Sequence, residues 1–141
     1  MVGTGGRQVD GAIPSLYALD KICKSDTIRE AQRDGRFTVL FDSGIRTGSD
    51  ILKAIALGAQ GVLRALAAFI EPHLALMPIL IVGRPYMYGL ACGGAEGVEQ
   101  VCRAILADAE ITLGLAGFSK LDEIWGKRDE FMTQINWNGK E

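Results

Sequence analysis

The chain has 141 residues, of which 48% are hydrophobic and 23% are charged, and its formal net charge at pH 7 is −2. This composition excludes a disordered chain, the length predicts one domain at most, and the slightly acidic balance gives no reason to expect a nucleic-acid partner. The three cysteines have no metal-ligand spacing and no secretory leader is visible, so we expect reduced thiols, no bound metal and a cytoplasmic location.

Helices and strands are predicted to alternate after a glycine-rich loop over residues 1–12. Pro14 and Ser15 begin a first helix, in which apolar residues recur at helical spacing. The charged stretch 26–34 is expected to be the end of a surface helix followed by a turn. The apolar run 37–41 predicts a parallel strand that is buried on both faces.

The next predicted elements complete one strand–helix unit. Ser49 is expected to cap a helix over residues 50–57, and Gly58 is expected to end it. A second strand is predicted to begin at Gly61.

The second half of the chain is predicted to be mainly helical. Residues 95–114 form an amphipathic helix by their pattern. Its apolar stripe consists of Val98, Val101, Ile105, Ala109 and Leu113. Ser119 followed by Glu123 is typical of the entry to a last short helix, and the tail after Lys127 is polar and expected to be frayed.

Two glycine-containing turns that follow predicted strands are the candidate binding elements. The first is DSGIRTGSD over residues 42–50, and the second is GRP over residues 83–85, directly after the apolar run 79–82. A strand that ends in such a turn and opens a helix presents free backbone N–H groups to an anion. Two such turns, each with an arginine, predict a phosphomonoester site like the one formed after strands 7 and 8 of a (β/α)8 barrel. Tyr86 and Tyr88 are expected to pack at the start of the following helix.

Three segments resemble the C-terminal part of the FMN-dependent α-hydroxyacid dehydrogenase/oxidase family, which includes lactate oxidase and glycolate oxidase. They are GGRQVDGA at 5–12, FTVLFDSGIRTGSDILKAIALGAQGVL at 37–63 and VGRPYMYGLACGGAEGVEQV at 82–101. The resemblance implies an α/β fold, namely a partial (β/α)8 TIM barrel made of the C-terminal βα units, about strands 7 and 8 with flanking helices. A complete barrel needs roughly 250 residues, so the resemblance implies a barrel fragment.

The resemblance also implies an FMN site around the two turns. Gly44 would allow close backbone approach, Arg46 would neutralise phosphate charge, and Asp42 would lie near the ribityl hydroxyls. Ser43 stands where the family more often has glycine. The expected FMN-binding residues are Asp42, Ser43, Gly44, Ile45, Arg46, Gly83 and Arg84. The alternative is that Asp42 and Arg46 only form a turn-stabilising pair.

The expected substrate contact is Arg7, because in the family the arginine of GGRQ binds the carboxylate of the 2-hydroxy acid. The alternative is that Arg7 is a surface residue in an N-terminal loop. Thr4 stands where the family has its catalytic histidine, the general base, and threonine cannot take that role near neutral pH. No catalytic residue is therefore assigned. His73, the only histidine, is expected to be a surface or partly buried residue.

Residues 64–81 interrupt the resemblance with the apolar sequence RALAAFIEPHLALMPILI. With its neighbours the run is just long enough to cross a bilayer, but Glu71 and His73 near its middle argue against a membrane span. A helical hairpin packed on the domain is favoured, and a retained intron or a misjudged gene model is the other interpretation. The predicted organisation is a barrel portion over 1–126 that contains this insertion, followed by a polar tail over 127–141.

The resemblance implies FMN-dependent oxidation of a lactate-like L-2-hydroxy acid to a 2-oxo acid. We expect this chain to be inactive alone, because it lacks the catalytic histidine and the N-terminal flavin-binding part of the family. The alternatives are a non-catalytic interaction module that pairs with a longer homologue, and a simple phosphate binder. Two barrel strands expose both edges and apolar surface, so we expect a homo-oligomer or association with a longer homologue.

Overall fold

A computed structural model of the chain describes residues 11–62 and 84–132. Its helices and strands follow in the order α1 Ser15–Cys23, α2 Asp26–Arg33, β1 Leu40–Phe41, α3 Gly48–Ala56, β2 Gly61–Val62, α4 Arg84–Leu115 and α5 Arg128–Phe131, with a 3-10 helix at Leu121–Glu123 between the last two. Among the described residues no helix is long and apolar enough to cross a membrane. The segment 64–81 lies outside the described residues, so the three interpretations of it stay predictions.

The strands β1 and β2 form a parallel pair joined by the crossover helix α3. Leu40 pairs with Gly61 and Phe41 pairs with Val62. Parallel strands need such a crossover because a tight turn cannot connect them. The strand predicted over 37–41 is confirmed in position but is only two residues long, since Phe37 is 46% exposed and outside the ladder. The described part of the chain therefore contains one βαβ unit of the predicted barrel.

The crossover helix α3 is the centre of the hydrophobic core. It is covered by the strand pair, by α4 and by the C-terminal segment, which leaves few of its side chains exposed. The core residues Leu19, Phe41, Leu52 and Ile124 are the largest side chains that are fully buried. Gly58 ends the helix as predicted, with a φ of +112° that favours glycine.

The long helix α4 contains a kink at Gly93 and Gly94, where the backbone is not helical. The amphipathic helix predicted to begin at residue 95 is confirmed. Its buried residues are Val98, Cys102, Ile105, Ala109 and Leu113. Before the kink, Tyr86 and Tyr88 are 43% and 68% exposed, so the prediction that they pack is wrong in the described structure. The close contact on that segment is made instead by Gly89, whose missing side chain lets its backbone approach Gly97.

The C-terminal segment is more ordered than its polarity predicts. Ser119 donates its backbone N–H to a carboxylate oxygen of Glu123 at 3.1 Å, and a short 3-10 helix follows, as predicted. Beyond it, the ring of Phe131 lies 5.4 Å from that of Phe118, and the guanidinium of Arg128 pairs with Asp20 on α1 at 2.8 Å. The expectation of a frayed tail is therefore wrong for residues 128–132, because an aromatic and an ionic contact fix them to the core.

The helix α2 is longer than expected and carries a buried polar residue. The stretch 26–34 is a helix from Asp26 to Arg33 and not only a helix end. The side chain of Gln32 is 4% exposed and donates to the carbonyl oxygen of Gly58 at 2.9 Å and to Oε1 of Gln60 at 3.0 Å. These bonds satisfy a buried amide, and they attach α2 to the C-terminal end of α3.

Candidate functional site

The candidate site is the turn from Asp42 to Thr47, which connects the end of β1 to the start of α3. Ser43 and Gly44 both have left-handed backbone conformations, with φ values of +82° and +83°. Asp42 accepts the backbone N–H of Ser43 at 2.7 Å, and Ser15 on α1 donates its hydroxyl to the carbonyl oxygen of Ser43 at 3.2 Å. These two residues at positive φ make the tight turn that leads from β1 into α3.

The start of α3 differs from the prediction by two residues. The helix begins at Gly48 with Thr47 as its N-cap, so the expected cap at Ser49 is wrong. Asp50 accepts the backbone N–H groups of Arg46 and Thr47 on one oxygen, at 3.1 and 3.2 Å. An acidic residue three positions after a threonine is a known helix-start pattern, and it could have located this cap from the sequence.

A second carboxylate reaches the helix start from the far end of the sequence. Asp108 on α4 accepts the backbone N–H of Gly48 at 2.6 Å. A β-carbon at position 48 would overlap the backbone of Ala109, so only glycine permits this approach of α4 to α3. Nothing in the local sequence marks Asp108, because its partner is 60 residues away.

These carboxylates decide which donors of the turn remain for a ligand. The N–H groups of Arg46, Thr47 and Gly48 are occupied, so the expectation that the helix start itself offers free donors is wrong for these three. The N–H groups of Gly44 and Ile45 have no acceptor among residues 11–62 and 84–132. These two donors lie in the turn and precede the helix, and the N–H of Ser49 in the first turn of α3 also has no acceptor among the described residues.

The side chains of the turn have separate environments. Ile45 is 5% exposed and anchors the turn in the core, whereas Arg46 is exposed. Within the described residues no ion pair or hydrogen bond joins Asp42 to Arg46, so the alternative of a turn-stabilising pair is wrong for this structure. The guanidinium of Arg46 is not engaged with another described side chain, which leaves it available to a negatively charged ligand.

The remaining predicted residues lie apart from this turn or outside the described structure. Arg84 is exposed and is the first residue of α4, and no hydrogen bond or ion pair in the described ranges joins it to the turn. Thr4, Arg7 and Gly83 lie outside the described residues, so their roles stay predictions. No group of three acidic, histidine or cysteine side chains that could hold a metal ion is found in the part of the chain that the structure describes.

The donor set of the turn fits the phosphate of FMN. It combines two backbone N–H groups, an exposed guanidinium and open space above Gly44, where an added β-carbon would meet only Ser15 Oγ at 3.9 Å. A phosphate accepts several such bonds at once, and a guanidinium adds a charge-assisted pair. The nearby carboxylates of Asp50 and Asp108 are already used by backbone donors, which reduces their competition for Arg46.

Comparison with known proteins identifies the family. The model of the FMN-dependent dehydrogenase family matches residues 3–71 and 78–131. An FMN-dependent alpha-hydroxy acid dehydrogenase of Penicillium citrinum is 46% identical over 113 residues, which cover 80% of this chain and 22% of that protein. An L-lactate oxidase of a Nostoc species is 40% identical over 120 residues, covering 85% of this chain and 26% of the relative.

A structural comparison gives the same result. Mandelate oxidase with benzoyl-formic acid superposes with a TM-score of 0.62 and 34% sequence identity, over 89% of this chain and 29% of that one. The chain thus spans about a quarter of the length of the curated relatives described above, which it covers to 22% and 26%. The residues between the two matched ranges, 72–77, lie within the segment predicted to be inserted. As the three sequence segments predicted, the chain belongs to the FMN-dependent dehydrogenase family of α-hydroxy acid oxidases and dehydrogenases.

Proposed function

We propose that this chain provides the phosphate-binding turn of an FMN-dependent enzyme that oxidises a lactate-like L-2-hydroxy acid to a 2-oxo acid. The observation that carries the proposal is the turn after β1, with two left-handed residues, two available N–H groups and the free guanidinium of Arg46. The turn belongs to a chain of an FMN-dependent family, in which lactate and mandelate oxidases are relatives.

Each residue of the turn has a defined task in this proposal. Gly44 and Ile45 donate their backbone N–H groups to phosphate oxygens, and Arg46 neutralises phosphate charge. The buried side chain of Ile45 keeps these donors in place. Asp42 orients the turn through the N–H of Ser43 and, by the resemblance, lies near the ribityl hydroxyls. Bound FMN would supply the two-electron acceptor that oxidation of a hydroxyl to a carbonyl requires.

The second arginine turn and the substrate contact complete the proposal. Gly83 and Arg84 would provide the other half of the phosphate grip. Arg7 would bind the substrate carboxylate through two parallel hydrogen bonds, which fix its orientation. Thr4 has no group that titrates near neutral pH, so it cannot accept the hydroxyl proton. We therefore propose that the chain alone does not turn over 2-hydroxy acids, even when FMN is bound.

A second candidate function is association with a longer homologue. The described sheet has two strands, and the first segment of α4 exposes four large apolar side chains. They are Tyr86, Met87, Tyr88 and Leu90. Four exposed large apolar side chains within five residues favour an interface. Co-purification with a full-length family member, abolished by Met87→Glu and retained with the exposed control Lys120→Glu, would support this function, and elution as a monomer in its presence would oppose it.

The phosphate turn is tested by comparing FMN with riboflavin, which lacks the phosphate. Flavin fluorescence and absorbance are followed during titration of the chain, together with particle size. The proposal predicts that FMN binds more tightly than riboflavin and that Arg46→Ala removes most of this difference. The matched control Arg103→Ala, at an exposed position on α4, should leave it unchanged. Equal affinity for both flavins would overturn the proposal, and equal affinity for FMN and inorganic phosphate would favour the simple phosphate binder.

A further inference from the structure

A cleft of about 160 Å³ lies at the end of α3 that is opposite to the phosphate turn. It is formed by α1, α2, the residues that follow α3, the segment before α5 and the first residue of α5. The side chains that matter in it are Asp20, Lys24, Arg29, Arg33, Trp125 and Arg128. Because α3 has nine residues, the cleft and the turn are separated by about 13 Å along the helix.

The cleft has an excess of positive charge. Four of its side chains are cationic and one is a carboxylate. That carboxylate, Asp20, already pairs with two cations: Lys24 Nζ lies at 3.1 Å, and Arg128 lies with Nε 2.8 Å from Oδ1 while its Nη2 donates a hydrogen bond to Oδ2 at 3.2 Å. Arg29 and Arg33 have no carboxylate within ion-pair distance among the described residues, so two guanidinium charges are left uncompensated.

One of these two arginines has a partial structural task. Arg29 donates Nε to the carbonyl oxygen of Cys23 at 2.8 Å, at the C-terminal end of α1, where a cation is favourable. This contact uses one of its five donors and leaves the outer edge of the guanidinium available. No described side chain or carbonyl accepts a hydrogen bond from Arg33.

An independent observation also points to a missing acceptor. Trp125 lines the cleft, and its indole Nε1 is buried without a hydrogen-bond partner among the described residues. Buried donors are normally satisfied, and an unsatisfied one in a native structure calls for a partner. Oδ1 of Asp20 in the same cleft is likewise buried without a hydrogen-bond partner, so the cleft has one unsatisfied buried donor and one unsatisfied buried acceptor beside its two unpaired guanidinium groups.

We propose that this cleft binds a phosphate group, either as inorganic phosphate or as part of a small phosphomonoester. A phosphate carries between one and two negative charges near neutral pH, which matches the two uncompensated guanidinium groups. The planar guanidinium fork suits its oxygens, and the cleft volume accommodates one such group. The site is separate from the turn after β1 and does not depend on the proposed function.

The indole proton of Trp125 provides a direct test by NMR. The chain has two tryptophans, and Trp137→Phe identifies the Trp125 indole signal without altering the cleft residues. Inorganic phosphate is titrated at constant ionic strength, balanced with chloride. The proposal predicts a saturable downfield shift of the Trp125 indole proton and no shift of the Trp137 signal.

Variants connect that shift to the cleft. Arg33→Ala should weaken phosphate binding by about tenfold, as expected for loss of a charge-assisted contact. Arg29→Lys, which keeps the charge but not the fork, should weaken it less. Arg103→Ala on α4 should have no effect, and Arg46→Ala should leave the cleft unaffected while it impairs the phosphate turn. Loss of phosphate binding in the cleft can therefore be distinguished from loss of FMN binding at the turn.

The ligand source is decided by a parallel titration with glycerol 3-phosphate. Tighter binding of the ester than of phosphate would assign the cleft to a phosphorylated metabolite, and the reverse order would assign it to the free ion. A Trp125 signal that does not respond, that responds equally to chloride, or that responds equally in Arg33→Ala would overturn the proposal.

Discussion

The two ends of α3 are closed by side chains of different chemistry, carboxylates at one end and a neutral amide with cationic side chains nearby at the other. At the N-terminal end, the carboxylates of Asp50 and Asp108 accept the first backbone N–H groups. At the C-terminal end, the amide of Gln32 donates to the carbonyl of Gly58, and the cationic side chains of the cleft lie nearby. Each end therefore carries the charge that complements the helix dipole.

The difference between the ends lies in what each leaves unused. At the N-terminal end the carboxylates occupy the N–H groups of Arg46, Thr47 and Gly48, and the N–H groups of Gly44 and Ile45 in the turn are unused. At the C-terminal end the carbonyl of Gly58 is used by Gln32, and the unused donors are the side chains of Arg33 and Trp125. The comparison teaches that the terminal backbone groups of a helix can be bonded within the protein while neighbouring donors remain for a ligand.

The largest expected effect comes from Gly48→Ala, which removes the close approach of α4 at the N-terminal end. An added methyl would overlap backbone atoms of Ala109, which cannot rotate away as a flexible side chain could. We expect a loss of about 3 kcal/mol or more in the free energy of unfolding, measured by urea denaturation, because such overpacking forces the helices apart. The control Gly114→Ala, in open space on α4, should be neutral or stabilising by up to about 1 kcal/mol. Similar stabilities of the two variants would refute the contact.

A smaller effect is expected at Asp108, where alanine removes both the acceptor oxygen and the negative charge and asparagine removes only the charge. Asp108→Ala removes the acceptor of the Gly48 N–H and should cost about 1–2 kcal/mol of unfolding free energy. Asp108→Asn keeps an acceptor oxygen, so it should cost less, and by removing a negative charge near the turn it should tighten FMN binding by about twofold. Glu110→Ala, exposed on the same helix, is the control. Equal weakening of FMN binding by both Asp108 variants would contradict this division of roles.

Ser43→Gly should stabilise the turn. A serine at a φ of +82° is in a conformation that glycine adopts without steric cost, and glycine is the residue the family resemblance leads us to expect there. We expect a gain of about 0.5–1 kcal/mol in thermal or urea unfolding. Ser49→Gly, inside α3, should instead destabilise by about that amount. Destabilisation by Ser43→Gly would indicate that contacts of the serine side chain add more to the free energy of unfolding than its strained backbone removes.

The smallest effect concerns pH at the C-terminal end, through the thiol of Cys23. Burial, followed by the nearby Asp20, raises the pKa of this thiol above its ordinary value of 9.0, and Arg29 opposes the rise. A raised pKa in the folded state means that stability is complete below pH 9.0 and falls as the pH rises toward the folded value. Cys23→Ala should flatten that decline, whereas Cys92→Ala, at an exposed position, should not. An identical decline in both variants would exclude Cys23 as its cause.

Local features of the fold were predictable because short-range chemistry determines them. The helix start at Pro14 and Ser15, the end at Gly58 and the amphipathic helix from residue 95 follow from turn chemistry and periodicity, and the structure confirms them. The cap at Ser49 and the packing of the tyrosines after Arg84 were wrong. Gly48 packs against the backbone of α4, and Gly89 packs against Gly97 beyond the kink of its own helix; one sequence segment reveals neither contact.

Part of the candidate site was also predictable from short-range sequence features. The positions of Gly44 and Arg46 are encoded in a contiguous motif that follows a strand, and the structure describes them as one turn. Asp108 could not be predicted, because it reaches the turn across 60 residues of sequence. Asp50 accepts the N–H groups of Arg46 and Thr47, and the local sequence indicates this because an acidic residue stands three positions after a threonine. The prediction of free donors at these residues was therefore wrong.

The central claim is that phosphate is held by the turn and not by the helix start, and backbone NMR tests it most directly. Amide signals of residues 44–48 are followed while FMN, and then riboflavin, is added to the chain. The account predicts large FMN-dependent shifts at Gly44 and Ile45, small shifts at Thr47 and Gly48, and none of these with riboflavin. Shifts centred on Thr47 and Gly48, or equal shifts with riboflavin, would contradict it.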